Sequence, residues 1–128
     1  MTEILQYSPA RRWAAASRVG DLLYLAGETG TDPETMQVVD GGIEAQTEQV
    51  FVNIRSTLAH FGADLTDVIK VTIFLTDMAD LEAMSVVRAR HLLTPLPSSA
   101  IGVVALASPL MRVEIEVIAV VPSGARGG

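Results

Sequence analysis

Residues 112–116 read RVEIE, which spaces Arg112, Glu114 and Glu116 two residues apart. In a strand that spacing puts all three side chains on one face. Ile118 and Val120 continue the same face, so it runs from charge into apolar side chains. A carboxylate at such a boundary loses part of its water. Burial favours its protonated form and moves it toward the range in which it exchanges protons with a substrate or a water molecule near neutral pH. The same pattern also fits a solvated strand edge on which Glu114 and Glu116 only face solvent, and spacing alone leaves both readings open.

The elements that must position these residues can be read from apolar periodicity. Residues 100–106 and 113–121 are long apolar runs, and Ala107, Ser108 and Pro109 between them supply turn chemistry, which predicts two strands. Ile43, Val50, Ile54, Leu58 and Phe61 recur at helical steps, with Gly62 as the stop. In residues 68–75, Ile69, Val71, Ile73 and Leu75 alternate with Lys70 and Thr72, as in a half-covered strand. Asp80 fits the N-cap of a second helix over residues 81–93, with Leu81, Met84 and Arg88 along one line and Pro95 and Pro97 beyond its end. Upstream, residues 3–8 form a short edge-strand candidate and the basic pair Arg11 and Arg12 leads toward Trp13. Gly20 marks a hairpin turn before a strand that places Leu23 and Leu25 on one face. This order predicts an α+β fold, a mixed β-sheet of about six strands with two helices packed on one face.

Composition narrows the function classes. The 128 residues fit one domain, read as residues 1–121 followed by a flexible tail at 122–128. At 49% hydrophobic but only 5% aromatic, the core must be aliphatic. Two nearly continuous apolar strands predict burial on both faces of the sheet, with contacts between subunits as the second cover. The net charge of −6 and scattered basic residues argue against nucleic acid as a partner. With no cysteine, thiolate catalysis and disulfides are excluded. No apolar stretch reaches the ~18 residues of a membrane span and no leader pattern opens the chain, so a cytoplasmic protein is expected.

Three stretches together resemble the Rid or YjgF family of reactive-intermediate (enamine/imine) deaminases, some of whose members are labelled endoribonuclease L-PSP. They are LLYLAGETGTDPET (22–35), residues 41–81 beginning GGIEAQTEQVFVNIR, and VEIEVIAV (113–120). The resemblance implies a homotrimer with clefts at subunit boundaries, a small-molecule substrate, no cofactor and no metal. It also implies hydrolysis of an imine or enamine to a ketone and ammonia. Glu114 stands where the family's glutamate positions the attacking water. Ser98 stands where the family's deaminases carry an arginine that grips a substrate carboxylate. Trp13 takes the place of an aromatic residue, usually tyrosine, Ala26 that of a serine, Glu28 that of a glutamine and Ser85 that of an asparagine. A serine offers one neutral donor where a guanidinium offers a charged fork. The expectation is therefore poor or no turnover of 2-iminopropanoate-type substrates and a preference for a ligand that is neutral at this end or anchored differently, unless Arg12, Arg88 or Arg112 reaches the same cleft.

The other candidates each have a structural alternative. His60 and His91 lie near predicted helix ends, where imidazole interacts favourably with the dipole, and neither has a metal-ligand or triad pattern. Ser98 and Ser99 either bond a ligand or simply start a strand. Trp13 either stacks on a ligand or anchors an interface. Glu28 opposite Glu114 would make a carboxylate pair able to divide acid and base roles, against solvation on a surface loop. Two function classes follow, a hydrolase of an imine, enamine or related carbonyl compound and a non-catalytic trimeric module that holds a small metabolite. Ribonuclease chemistry needs acid/base pairs beside a basic groove, and the sequence shows neither.

Overall fold

In chain order the strands are β1 Ile4–Tyr7, β2 Ala16–Val19, β3 Leu22–Leu25, β4 Glu28–Thr29, β5 Thr31–Asp32, β6 Gln37–Val38, β7 Val68–Leu75, β8 Ser98–Gly102 and β9 Val113–Val120. The helices are α1 Gly42–His60 and α2 Leu81–His91. This computed structural model describes residues 4–7 and 13–122. The expected basic pair Arg11 and Arg12 and the flexible tail from residue 123 onward lie outside the described residues.

Strand β9 is the centre of the molecule. A seven-stranded sheet runs β1-β2-β3-β9-β7-β8, with β4 also paired to β9 beyond the end of β3. All neighbours are antiparallel except β7 and β8, the parallel pair joined through α2. The sheet is therefore mixed, with one strand more than the approximate six expected. On β9 the two-residue period sorts the faces. Val113, Ile115, Val117 and Ala119 are buried at 0–2% exposure, while Glu114, Glu116, Ile118 and Val120 point to the other side. Both helices cover the first face. Val50, Phe51, Ile54 and Leu58 of α1 and Met84 and Val87 of α2 are buried, and most of them join a core with Leu23, Val71, Ile73, Leu75 and Ile115. A phenylalanine or leucine side chain buried this way contributes about 1.5–3 kcal/mol. Helix α1 stops where Gly62 takes φ of 74°, a conformation that costs glycine little and other residues more.

Three expectations need correction. The apolar run at 100–106 is a strand only as far as Gly102. Pairing with β7 ends at Leu75↔Gly102, and beyond it Val104 is fully exposed. All five β8 residues are exposed as well, and the Glu114 face of β9 is partly open in the single chain. Ile69 does not share the buried face of Val71, Ile73 and Leu75 but is 43% exposed. The register shifts between Val68 and Lys70, and the irregularity there returns Val68, not Ile69, to the core. Asp80 occupies the N-cap position of α2 but makes no capping bond with its side chain, and the helix ends at His91, short of residue 93. Asp77 caps the preceding 3-10 turn by accepting from the Ala79 N–H, which frees the Asp80 carboxylate for another partner.

Among the described residues no helix is long and apolar enough to cross a membrane.

Candidate functional site

Glu114 sits on the open face of the sheet, with Thr29 of β4 beside it on one side and Phe74 of β7 on the other. Its carboxyl group lies over Gly27, which has no side chain to obstruct it. A Cβ built on Gly27 would fall 2.3 Å from Glu114 Oε2 and 2.8 Å from Cδ, so only glycine leaves this space. Partial burial is the main reason the Glu114 carboxyl is pushed above the ordinary glutamate range. The negative charges of Glu116 and then Glu28 add to that shift. The result is a carboxylate that holds its proton more readily than a surface glutamate yet remains open to solvent on one side.

The bed of this carboxylate is fixed from the helix layer. Asn53 of α1 donates through Nδ2 to the carbonyls of Thr29, at 3.2 Å, and Thr31, at 2.9 Å, holding β4 and β5 against the helix. Gln46, one turn from the start of α1, donates from Nε2 to the Leu110 carbonyl at 3.0 Å. Its Oε1 accepts from the Arg112 N–H at 2.9 Å, so one amide fixes the approach of the chain into β9. Gln46 and Asn53 are both buried, at 4% and 8% exposure. Neither these two residues nor Gly27 was singled out from sequence. The available signal was polar residues on the buried stripe of α1, where an unpaired amide would be costly.

Glu28 is not on a solvated loop. It is 4% exposed and pairs with Ile115, so it shares the buried row of the sheet rather than the row of Glu114. The tie from Asn53 to Thr29 and Thr31 explains the difference, because it draws this segment beneath α1. Ala26 donates its N–H to the Ala15 carbonyl at 2.9 Å at the end of β3, next to Gly27. Ala26 and Glu28 thus flank the glycine on which the Glu114 carboxyl rests.

A second group lies at the β8 edge. Ser98 begins β8, and its hydroxyl donates to the Leu96 carbonyl at 2.9 Å while accepting from Arg88 Nη2 at 2.5 Å. Ser98 therefore does start the strand. Ser85, one turn before Arg88 on α2, is exposed and donates back to the Leu81 carbonyl at 2.7 Å. Register separates this group from Glu114. Ser98 falls in the row of Val71 and Val117 on the helix side, whereas Ser99 falls in the row of Thr72 and Glu116 on the open side. Trp13 is 59% exposed and belongs to neither group by any bond.

Of the other arginines considered, Arg112 is committed elsewhere. It donates to both oxygens of Asp80, from Nη2 at 2.7 Å and Nε at 3.1 Å. Arg12 lies outside the described residues. His60 stacks on Tyr7, with ring centroids 3.8 Å apart. His91 stacks on Phe51 and bonds Glu48 through Nε2 at 2.9 Å. Among the described residues no group of histidine, aspartate and glutamate side chains is arranged to hold a metal ion. On the open face, Tyr24, Lys70, Thr72, Glu116 and Ile118 line a shallow depression that does not include Glu114.

Comparison with known proteins agrees with this architecture. Residues 4–121 match the family model described as endoribonuclease L-PSP. A RutC family protein of Pyrococcus horikoshii is 37% identical over 111 residues, covering 87% of this chain and 88% of that protein. A 2-iminobutanoate/2-iminopropanoate deaminase of Dermatophagoides farinae is 34% identical over 114 residues, 88% of each chain. The crystal structure of RidA from an Antarctic Psychrobacter superposes with a TM-score of 0.80 at 37% identity, covering 88% of this chain and 90% of that one.

Proposed function

Since the chain belongs to the endoribonuclease L-PSP family, which includes the Rid and RutC proteins, we propose that it hydrolyses a small imine, or the enamine in equilibrium with it, to a carbonyl compound and ammonia. The observation that carries this reading is the carboxyl of Glu114, held over Gly27 and partly desolvated on an otherwise open face. A carboxylate in that setting can take a proton from water as the water oxygen attacks the C=N carbon. The C=N double bond becomes a single bond and the nitrogen takes up the proton. The resulting carbinolamine collapses to C=O as the C–N bond breaks and ammonia leaves. One water is consumed, and no electron acceptor is needed.

The raised pKa of Glu114 sets the direction of the pH dependence. Glu114 must be ionised to accept a proton, so turnover falls as pH drops through a value above the ordinary glutamate range. The proposed assembly is a homotrimer. It is supported by the half-exposed face carrying Tyr24, Glu114 and Ile118 and by the wholly exposed β8, which a second copy would cover. Sedimentation as a stable monomer at micromolar concentration would refute that part.

The direct test is ammonia release from a panel of freshly generated imines, with and without the protein. Acceleration that disappears in Glu114→Gln supports the reading. No acceleration on any member would leave the non-catalytic metabolite-binding module as the better account of the same cleft.

A further inference from the structure

We infer that the depression between Lys70 and Glu116 on the open face of the sheet is a second binding site, apart from Glu114, for a small zwitterion, an α-amino acid with a short aliphatic side chain. The inference does not depend on the chemistry proposed at Glu114. It starts from strand register. Ile118 of β9 stands across from Lys70 of β7 on one side and from Tyr24 of β3 on the other. One two-residue step along β9, Glu116 stands across from Thr72. Together these five residues line a depression of about 150 Å³. A cavity of that size holds a molecule as large as benzene.

The polar groups of this depression are uncommitted. Among the described residues the side chains of Tyr24, Lys70, Thr72 and Glu116 make no hydrogen bond and no ion pair. Arg18 and Arg55 also lack a carboxylate partner, but each is held by a neutral acceptor, the Gly20 carbonyl and His91 Nδ1 respectively. Lys70, the only lysine of the chain, has neither. It sits diagonally from Glu116 across the β7–β9 pair, where Cβ atoms are separated by about 7 Å. A cation and an anion thus face one concavity without closing on each other.

This charge pattern selects the ligand. An anion held by Lys70 alone would meet the negative charge of Glu116, and a cation held by Glu116 alone would meet Lys70. A molecule that carries both a carboxylate and an ammonium group finds an opposite charge for each, through charge-assisted hydrogen bonds. Ile118 and the ring of Tyr24, 47% exposed, offer apolar surface to a short aliphatic side chain. Glu114 is not part of the lining, so an occupant leaves it open. In the proposed trimer this face turns toward other copies, and the bound zwitterion would be enclosed between them.

The test titrates the full chain, in the assembly it forms, with valine and with two single-charge controls, isobutylamine and 3-methylbutanoate. Protein labelled with 13C-lysine has one side-chain Cε resonance, that of Lys70, which reports occupancy directly. Valine should give a saturable shift with a Kd of about a millimolar, the range open to so small a ligand, and each control should bind on the order of tenfold more weakly or less. Glu116→Gln, followed by the same resonance, and Lys70→Met, followed by calorimetry, should each weaken valine on the order of tenfold, the worth of one charge-assisted bond. Both substitutions are at exposed positions, so circular dichroism should stay as in wild type. Glu114→Gln should bind valine as wild type does, since its side chain lies outside the depression. No saturable shift with valine overturns the site, including the case in which another copy fills the depression. A control that binds as tightly as valine overturns the zwitterion, and valine affinity unchanged in Lys70→Met and Glu116→Gln overturns the placement.

Discussion

The two faces of β9 are built from alternate residues of one eight-residue strand, yet they do opposite work. Val113, Ile115, Val117 and Ala119 are sealed under the helices, and every neighbour there is apolar or satisfied. Glu114 and Glu116 occupy the other face beside Thr72 and Phe74, where a carboxyl group is left partly stripped of water. The buried face stabilises the fold, and the open face gives up some stability to hold a reactive group. The same strand therefore shows how a rigid support and a partly desolvated functional group can be joined with no intervening loop.

Substitutions on each face should separate these roles. The largest expected effect is on chemistry. Glu114→Gln should lower ammonia release about 10²- to 10⁴-fold, the usual worth of a positioned base, while circular dichroism and assembly stay as in wild type. On the buried side Ile115→Ala should cost about 2–5 kcal/mol in urea unfolding, because Ile115 is fully buried. Turnover per folded molecule should be far less affected. Gly27→Ala should cut turnover about 10²-fold with only a modest loss of stability, since the new methyl displaces the carboxyl by roughly 1 Å. If that variant keeps full activity, the space above Gly27 is not what places Glu114.

Arg112→Ala should cost about 1–3 kcal/mol, because it leaves the Asp80 carboxylate, 9% exposed, without its cation. The exposure of Arg112 itself, 42%, keeps the loss below that of a fully buried pair. The smallest expected effect reverses the usual sign. The folded-state value of Glu114 is raised, so the fold binds that proton more tightly than the unfolded chain, and the advantage is lost as pH rises through the folded value. At neutral pH the ionised carboxylate burdens the fold. Glu114→Gln should therefore raise Tm, by about a few degrees at most, and the difference from wild type should vanish in acid.

Much of this division was legible in the sequence. The two-residue period of residues 113–120 and the helical spacing of Ile43, Val50, Ile54 and Leu58 need no distant information, and both appear as read. What the periodicity could not carry was pairing between distant segments. Gln46 bonds Leu110 and Arg112, 64 and 66 residues away, and Asp80 meets Arg112 across 32. Each takes a side chain whose local role pointed elsewhere, as when Asp80 looked like a cap. Ile69 fits its period in sequence, but a register shift in the pairing with β9 moves it to the surface. Glu28 looked solvated because it stands in a turn-rich stretch, and only the tie from Asn53 buries it. Arg88 was one of three arginines that could have met Ser98, and the sequence had no means to choose among them.

Strand β9 lies between β3 and β7 in space although it follows both in the chain. During vectorial synthesis, residues 22–102 emerge before the strand that joins them exists, so the two halves of the sheet wait with apolar edges exposed. Hydrogen exchange on a nascent or truncated chain ending before residue 113 should find a protected α1 segment but no continuous sheet. Premature termination at that point removes the middle of the molecule rather than an end. The susceptible interval for aggregation is therefore set by how soon those last eight strand residues arrive.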